Sequence, residues 1–443
     1  MTTWSPPSRS PEAASVYAAA EADRQAQPER YRLDEDIVIE RATRNGRAAT
    51  STFADDWADG LRHYLASARE DGRLNAVGVR MVIETAAAKL SAGSRIAAYI
   101  AEHPGRATAS LIPPIVIVGG WRTGTTFLFR LLATDPRLRA PLPVELAEPW
   151  RMADPTGSER EARIDASARA HDFLHLLNPQ MRAVHDSGAR LPEECVLAMG
   201  TDLRNWGFTS TVRLDAYARW LAGQDLEGSY RRYRQILQIL GPAASISSAG
   251  PLPDGSLQGS SSNTRPDTND GRRFLLKAPA HVAELDHLVS TFPGAVIVHL
   301  HRDIVETIAS GASLFAVFRS TYSDAVDPVD VGHFQADQTE LWLRRAVEYR
   351  TTRASAAATF VDLDYRELVA DPAAAASKVY SAAGMEFPAD FSRLIADYHA
   401  RNPRNAHGTH TYTAADFGLD PHELRERFSF LEAIGGHNEE KRP

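Results

Sequence analysis

Pro113-Pro114-Ile115-Val116-Ile117-Val118-Gly119-Gly120-Trp121-Arg122-Thr123-Gly124-Thr125-Thr126 is the stretch on which the fold turns. Four β-branched residues run without a polar break between a pair of prolines and a pair of glycines, the pattern of a short strand buried on both faces. A helix is predicted to follow at once, from Thr125 to Thr134, and to stop at Asp135-Pro136. Strand, glycine turn and helix start together aim several backbone N–H groups and the positive end of a helix dipole at one point, which makes an anion cradle. Arg122 adds a fixed charge, and Thr125 and Thr126 add hydroxyl donors. The turn lacks the Gly-Lys-Ser/Thr ending and four-residue spacer of a nucleotide-triphosphate P-loop.

Working outward, Arg273–Lys277, Ala295–Leu300 and Ala358–Leu363 read as further strands, and His281–Thr291 and Asp303 to about Phe318 as helices between them. That alternation predicts an α/β chain, a P-loop-like three-layer fold with a central parallel sheet. Residues 1–110 form a helical N-terminal region of packing and lid character, with apolar positions three and four apart over Phe53–Ser67 and Ala76–Glu102. The main domain spans 111–440, with a helical cap at about 150–240. Residues 241–271, dominated by Ser, Gly, Pro, Asn and Asp, read as a flexible surface insertion.

Composition narrows the class. The 443 residues are 43% hydrophobic and 24% charged, as in an ordinary globular protein. A net charge of -8 supplies no broad basic field, so nucleic acid is not an expected partner. The one cysteine, Cys195, allows neither an intramolecular disulfide nor a cysteine zinc site, which fits a reducing cytoplasm. The N-terminus has no basic start followed by an apolar core, and no run approaches the ~18 apolar residues of a membrane span, so no transmembrane segment is expected.

Val118 to Leu128 resembles the 5′-phosphosulfate-binding loop of sulfotransferases that use 3′-phosphoadenosine 5′-phosphosulfate (PAPS). Leu300-His301-Arg302-Asp303-Ile304-Val305-Glu306-Thr307-Ile308-Ala309-Ser310 resembles the 3′-phosphate element of that family. Leu276-Lys277-Ala278-Pro279-Ala280-His281, Leu191-Pro192-Glu193-Glu194-Cys195 and Gly408–Tyr412 with Asp416–Leu419 look like the bacterial branch with a large helical cap, so the resemblance spans roughly 113–432. It implies PAPS as cosubstrate, held by Arg122, Thr123, Gly124, Thr125, Thr126, Arg302 and Ser310, with Arg404 closing from a C-terminal loop. It implies a hydroxyl or amine of a small-molecule, lipid or glycan acceptor, and no metal. Two features depart from the pattern: Arg122 stands where many relatives carry lysine, and 241–271 has no counterpart.

For the base that deprotonates the acceptor the first candidate is Glu145, placed just past the helix that follows the cradle, with Glu148 competing. His281 is the second, four residues after Lys277; the resemblance puts Lys277 against the transferring group and Arg122 on the phosphosulfate. His185 and the Glu193-Glu194 pair are placed at the acceptor pocket, while His171 and His175 share helical spacing without a third metal ligand. A P-loop kinase or NTPase and a non-catalytic phosphate-ligand-binding protein are the competing classes. The first needs a P-loop lysine and a strand-terminal acid for Mg²⁺, neither of which is found.

Overall fold

A computed structural model of the chain describes residues 4–44, 49–241, 271–352, 357–401 and 411–434. Five strands, β1 (Ile115–Gly119), β2 (Leu138–Arg139), β3 (Arg273–Lys277), β4 (Val296–His301) and β5 (Thr359–Asp364), form one sheet in the order β2-β3-β1-β4-β5. Every pairing is parallel. The two-residue β2 is too short to carry a period and is the one strand without a sequence signal.

Pleating divides the strand residues between two cores. Val116, Val118, Leu276 and Ile297 face one, and Ile115, Ile117, Leu275 and Val298 face the other. The second core is covered by the helices Thr125–Leu132, Pro372–Ala382 and Phe391–Arg401. The first is shared with Leu61, Ile83 and Leu90 of the N-terminal region and with Phe315, so the three layers rest on helices from both ends of the chain.

The predicted helix Ala76–Glu102 is found with those limits, its start capped by Asn75 accepting from the Gly78 N–H at 2.9 Å. The helix expected from Phe53 begins at Trp57 instead, because Asp56 adopts a left-handed φ of 56° just before it. The cap is less helical than expected. Helices Gly157–Leu177 and Glu227–Leu240 frame it, but the stretch between is mostly turns and short helical pieces, broken by Pro179, Gly188, Pro192, Gly200 and Gly207. The 241–271 insertion lies, from 242 to 270, outside the described residues.

β1 sits between β3 and β4, where the strand order reverses, and ligands of open parallel sheets gather at the carboxyl ends beside such a point. Register sets Gly119 opposite Leu300 and Ile117 opposite Lys277. The turn after β1, Lys277 at the end of β3 and Arg302 after β4 therefore leave the sheet along one edge. No helix among the described residues is long and apolar enough to cross a membrane.

Candidate active site

The turn after β1 is tight because its neighbours are close. A Cβ on Gly119, whose φ is +151°, would stand 2.7 Å from the Leu300 carbonyl oxygen, and one on Gly120 would stand 2.5 Å from Thr307 Cγ2. Arg122 holds a left-handed φ of 60°, uncommon for a residue with a side chain. Gly124, at φ 89°, caps the helix Thr125–Leu132 without a side-chain hydrogen bond, so the first-turn N–H groups have no partner inside the helix and face the mouth of the turn. Thr123 is buried and donates from Oγ1 to the Gly120 carbonyl at 2.9 Å, bracing the turn from within.

This mouth opens into a cavity of about 990 Å³. Arg122, Gly124, Thr125, Thr126, Arg302 and Tyr365 line one end, and Trp121, Trp206, Trp342, Phe318, Leu314 and Val196 supply an aromatic and apolar wall elsewhere. Among the described residues no lining residue precedes Trp121, while residues of the N-terminal region pack the core. Cap and turn are tied together: Arg122 Nη1 donates to the Val184 carbonyl at 3.1 Å, and Arg130 pairs with Asp186 at 2.6 Å.

Arg302 is held in place from three sides. It bonds Glu306 through Nε at 2.8 Å, donates from Nη1 to the Arg122 carbonyl at 2.7 Å, and lies over the Tyr365 ring at 4.3 Å. A guanidinium carries five N–H donors, so these contacts leave capacity for an anion. Tyr365, just after β5, carried no recognisable motif; its only sequence signal is its place at a strand end.

Between the two ends of the cavity lies a charged group. Lys277 Nζ pairs with Glu194 Oε1 at 2.5 Å and reaches Thr126 Oγ1 at 3.3 Å. The lysine is itself buried beneath the wall, while both of its partners face the cavity. His185 Nε2 stands 3.5 Å from Glu193 Oε1. Burial pulls the imidazole down, but the charge and hydrogen bond of Glu193, with Glu194 behind, outweigh it and hold His185 above its ordinary value. For Glu193 burial pushes the other way, yet His185 and Lys277 bring the carboxyl down to about 2. His185, Glu193 and Glu194 also present ligand atoms within 4.8 Å of one another, though Lys277 already counters their charge, an arrangement suited to proton transfer more than to a cation.

Glu145 is not brought to this cavity. It is buried at the third position of the short helix Pro143–Ala147, where Oε2 accepts from the Leu142 N–H at 2.8 Å and Oε1 meets Arg160 at 3.2 Å and Arg139 at 3.4 Å. Both oxygens are spent on the Leu142 N–H and the two ion pairs. Glu148 pairs with Arg151 at 3.5 Å. His281 is not brought there either. It is fully buried, its Nδ1 lies 2.8 Å from the Tyr230 hydroxyl, and burial pushes it down to about 3, while only its neighbours Pro279 and Ala280 reach the wall. Ser310 is buried two turns along the helix Ile304–Tyr322 and stands outside the wall. His171 lines the cavity and bonds the Ser167 carbonyl, whereas His175 is buried beside it. Arg404 and Gly408–His410 lie outside the described residues.

A parallel sheet with a glycine turn at its reversal point and cations at the next two strand ends is an α/β protein with its site placed where such sheets bind ligands. The model of the Sulfotransferase family matches residues 113–389, and the chain belongs to that family. Among solved structures it is similar to the sulfotransferase STF1 from Mycobacterium tuberculosis H37Rv, with 24% identity, 89% of this chain and 98% of that one covered, and a TM-score of 0.73. It is also similar to the sulfotransferase STF9 from Mycobacterium avium, with 21% identity, 91% and 97% covered, and a TM-score of 0.74. Both likenesses establish the fold. No curated protein matches the chain in sequence.

Proposed function

We propose that the protein moves a sulfuryl group from PAPS to a hydroxyl carried on a largely apolar, partly aromatic acceptor. The observation that carries this reading is the convergence of three strand ends: the Arg122 turn from β1 and Arg302 after β4 line one cavity, and Lys277 at the end of β3 lies just beneath its wall, bonded to the lining residues Thr126 and Glu194. Sulfuryl transfer, like phosphoryl transfer, asks mainly for in-line positioning and for positive charge where the leaving phosphate gains negative charge. In this reading the N–H groups and hydroxyls of Thr125 and Thr126, with Arg122, hold the phosphosulfate. Lys277 serves the transferring group and Arg302 the 3′-phosphate, which is what separates PAPS from ATP. Arg404 is proposed as a further phosphate contact on the resemblance alone. Trp121, Trp206, Trp342 and Phe318 favour a flat or greasy acceptor body over a free sugar.

The kinase reading finds little support, because the end of β3 carries Lys277 where Mg²⁺ would need an acid, and no Gly-Lys-Ser/Thr closes the turn. The test is transfer of sulfur-radiolabelled PAPS to a panel of phenols, sterols, lipids and sugars. Label on an apolar hydroxyl is the expected result. Absence of transfer to any of them, together with Mg²⁺-stimulated ATP turnover, overturns the proposal.

A further inference from the structure

Three acids line the cavity, and two are committed elsewhere. Asp186 is bound by Arg130 at 2.6 Å, and Glu193 accepts the Glu194 N–H at 2.9 Å while facing His185. Glu194 sits at the junction of the two ends of the cavity. Among the described residues, the one side chain hydrogen-bonded to its carboxylate is Lys277, whose ammonium also touches Thr126 Oγ1 in the first turn of the cradle helix. One buried ammonium thus links the carboxylate to the place where a phosphosulfate is proposed to lie.

A carboxylate oxygen clasped by an ammonium is already engaged as an acceptor, so it takes a proton from a substrate hydroxyl only once the ammonium has moved. An ammonium has three donors and no acceptor, so it can be drawn toward a more strongly charged anion without changing its own protonation. Resting on the sulfuryl-transfer reading, we infer that Glu194 is the general base for the acceptor and that Lys277 keeps it in check until the donor binds. Donor sulfuryl oxygens in the cradle take over the ammonium, and the carboxylate oxygen it occupied is freed to accept a proton. The acceptor O–H proton then passes to Glu194, and the acceptor oxygen forms the new O–S bond. The S–O bond to the 5′-phosphate breaks with its electron pair left on the phosphate. The products are a sulfate ester and adenosine 3′,5′-bisphosphate. Access to the base is coupled in this way to donor occupancy.

The experiment compares wild type, Glu194→Gln and Lys277→Met, each first titrated with adenosine 3′,5′-bisphosphate and then assayed with PAPS and two acceptors, phenol and 4-nitrophenol. 4-Nitrophenol is largely ionised near neutral pH and needs little help from a base; phenol needs it. Glu194→Gln is expected to bind the bisphosphate as wild type does, to lose on the order of 10²- to 10⁴-fold in rate with phenol, and to lose less than about tenfold with 4-nitrophenol. Lys277→Met is expected to lose similar factors with both, because its partner is the transferring group. A Glu194→Gln variant that loses equally with both phenols, or with neither, overturns the inference. If wild type sulfates neither phenol, the slow transfer of sulfate to water is read in the same proteins, and an unchanged rate in Glu194→Gln overturns it. A wild type that fails to bind the bisphosphate removes the underlying sulfuryl-transfer reading instead.

Discussion

Arg302 donates from Nη1 to the carbonyl oxygen of Arg122 at 2.7 Å, so the arginine that follows β4 also fastens the turn that follows β1. The two anion-binding elements are one mechanical unit, and a change at one is felt at the other.

Arg302→Ala is expected to weaken adenosine 3′,5′-bisphosphate by roughly 10- to 100-fold, the worth of a lost charge-assisted hydrogen bond, and, because it also releases the Arg122 turn, to weaken AMP by a clearly smaller factor. Arg302→Lys restores charge without the fork, so it recovers only part of the affinity. Calorimetry on the two variants checks this; equal losses for bisphosphate and AMP would place Arg302 away from the 3′-phosphate.

Gly120→Ala drives a methyl into Thr307 Cγ2, which would lie 2.5 Å away, so the turn must shift off the helix Ile304–Tyr322. Bisphosphate affinity is expected to fall at least tenfold, with about 1–3 kcal/mol of stability lost to overpacking. Thr307→Ser removes the opposing methyl. The double variant Gly120→Ala, Thr307→Ser is expected to recover most of both losses, and a double variant no better than the single one contradicts the steric account.

Glu145→Ala is expected to act on stability. It strips the carboxylate from the buried Arg139 and from Arg160, and loss of one partner of a buried ion pair costs about 3 kcal/mol or more. Glu145→Gln, which keeps the shape and one acceptor, costs less. Denaturant midpoints decide the matter: a Glu145→Ala protein that unfolds like wild type yet transfers no sulfate would return Glu145 to the chemistry.

His281 is neutral in the fold and burial holds it at about 3, against 6.5 for an ordinary imidazole. Its depressed value means the unfolded chain takes up a proton first as pH falls. Stability is therefore full above about 6.5 and is lost between 6.5 and 3, at up to about 1.4 kcal/mol per pH unit. Glu193, at about 2, adds a loss of the same sign below its ordinary 4.5. His281→Asn is expected to flatten the melting temperature against pH across the upper part of that window. An unchanged slope would mean that His281 is reached by solvent.

The sheet was legible because β1 and β3 carry unbroken apolar runs closed by Gly and Lys, β4 is apolar apart from its histidines, and β5 alternates apolar with polar residues as a half-exposed strand does. The cradle was legible because its glycines are dictated by local sterics. Glu145 and His281 were placed near the cavity by their sequence distance from Arg122 and Lys277, which says nothing of which way a side chain turns; in the fold the Leu142 N–H and the Tyr230 hydroxyl engage them away from it. Glu194 was flagged only as one of an acidic pair at the acceptor pocket, because its partner Lys277 lies 83 residues away and the cap segment that carries it has no period to read.

The central claim is a site that distinguishes a 3′-phosphate. Titration of the wild-type protein with adenosine 3′,5′-bisphosphate, AMP and ATP under identical salt tests it most directly. The account predicts that the bisphosphate binds at least tenfold more tightly than either; affinity for AMP equal to that for the bisphosphate would contradict it.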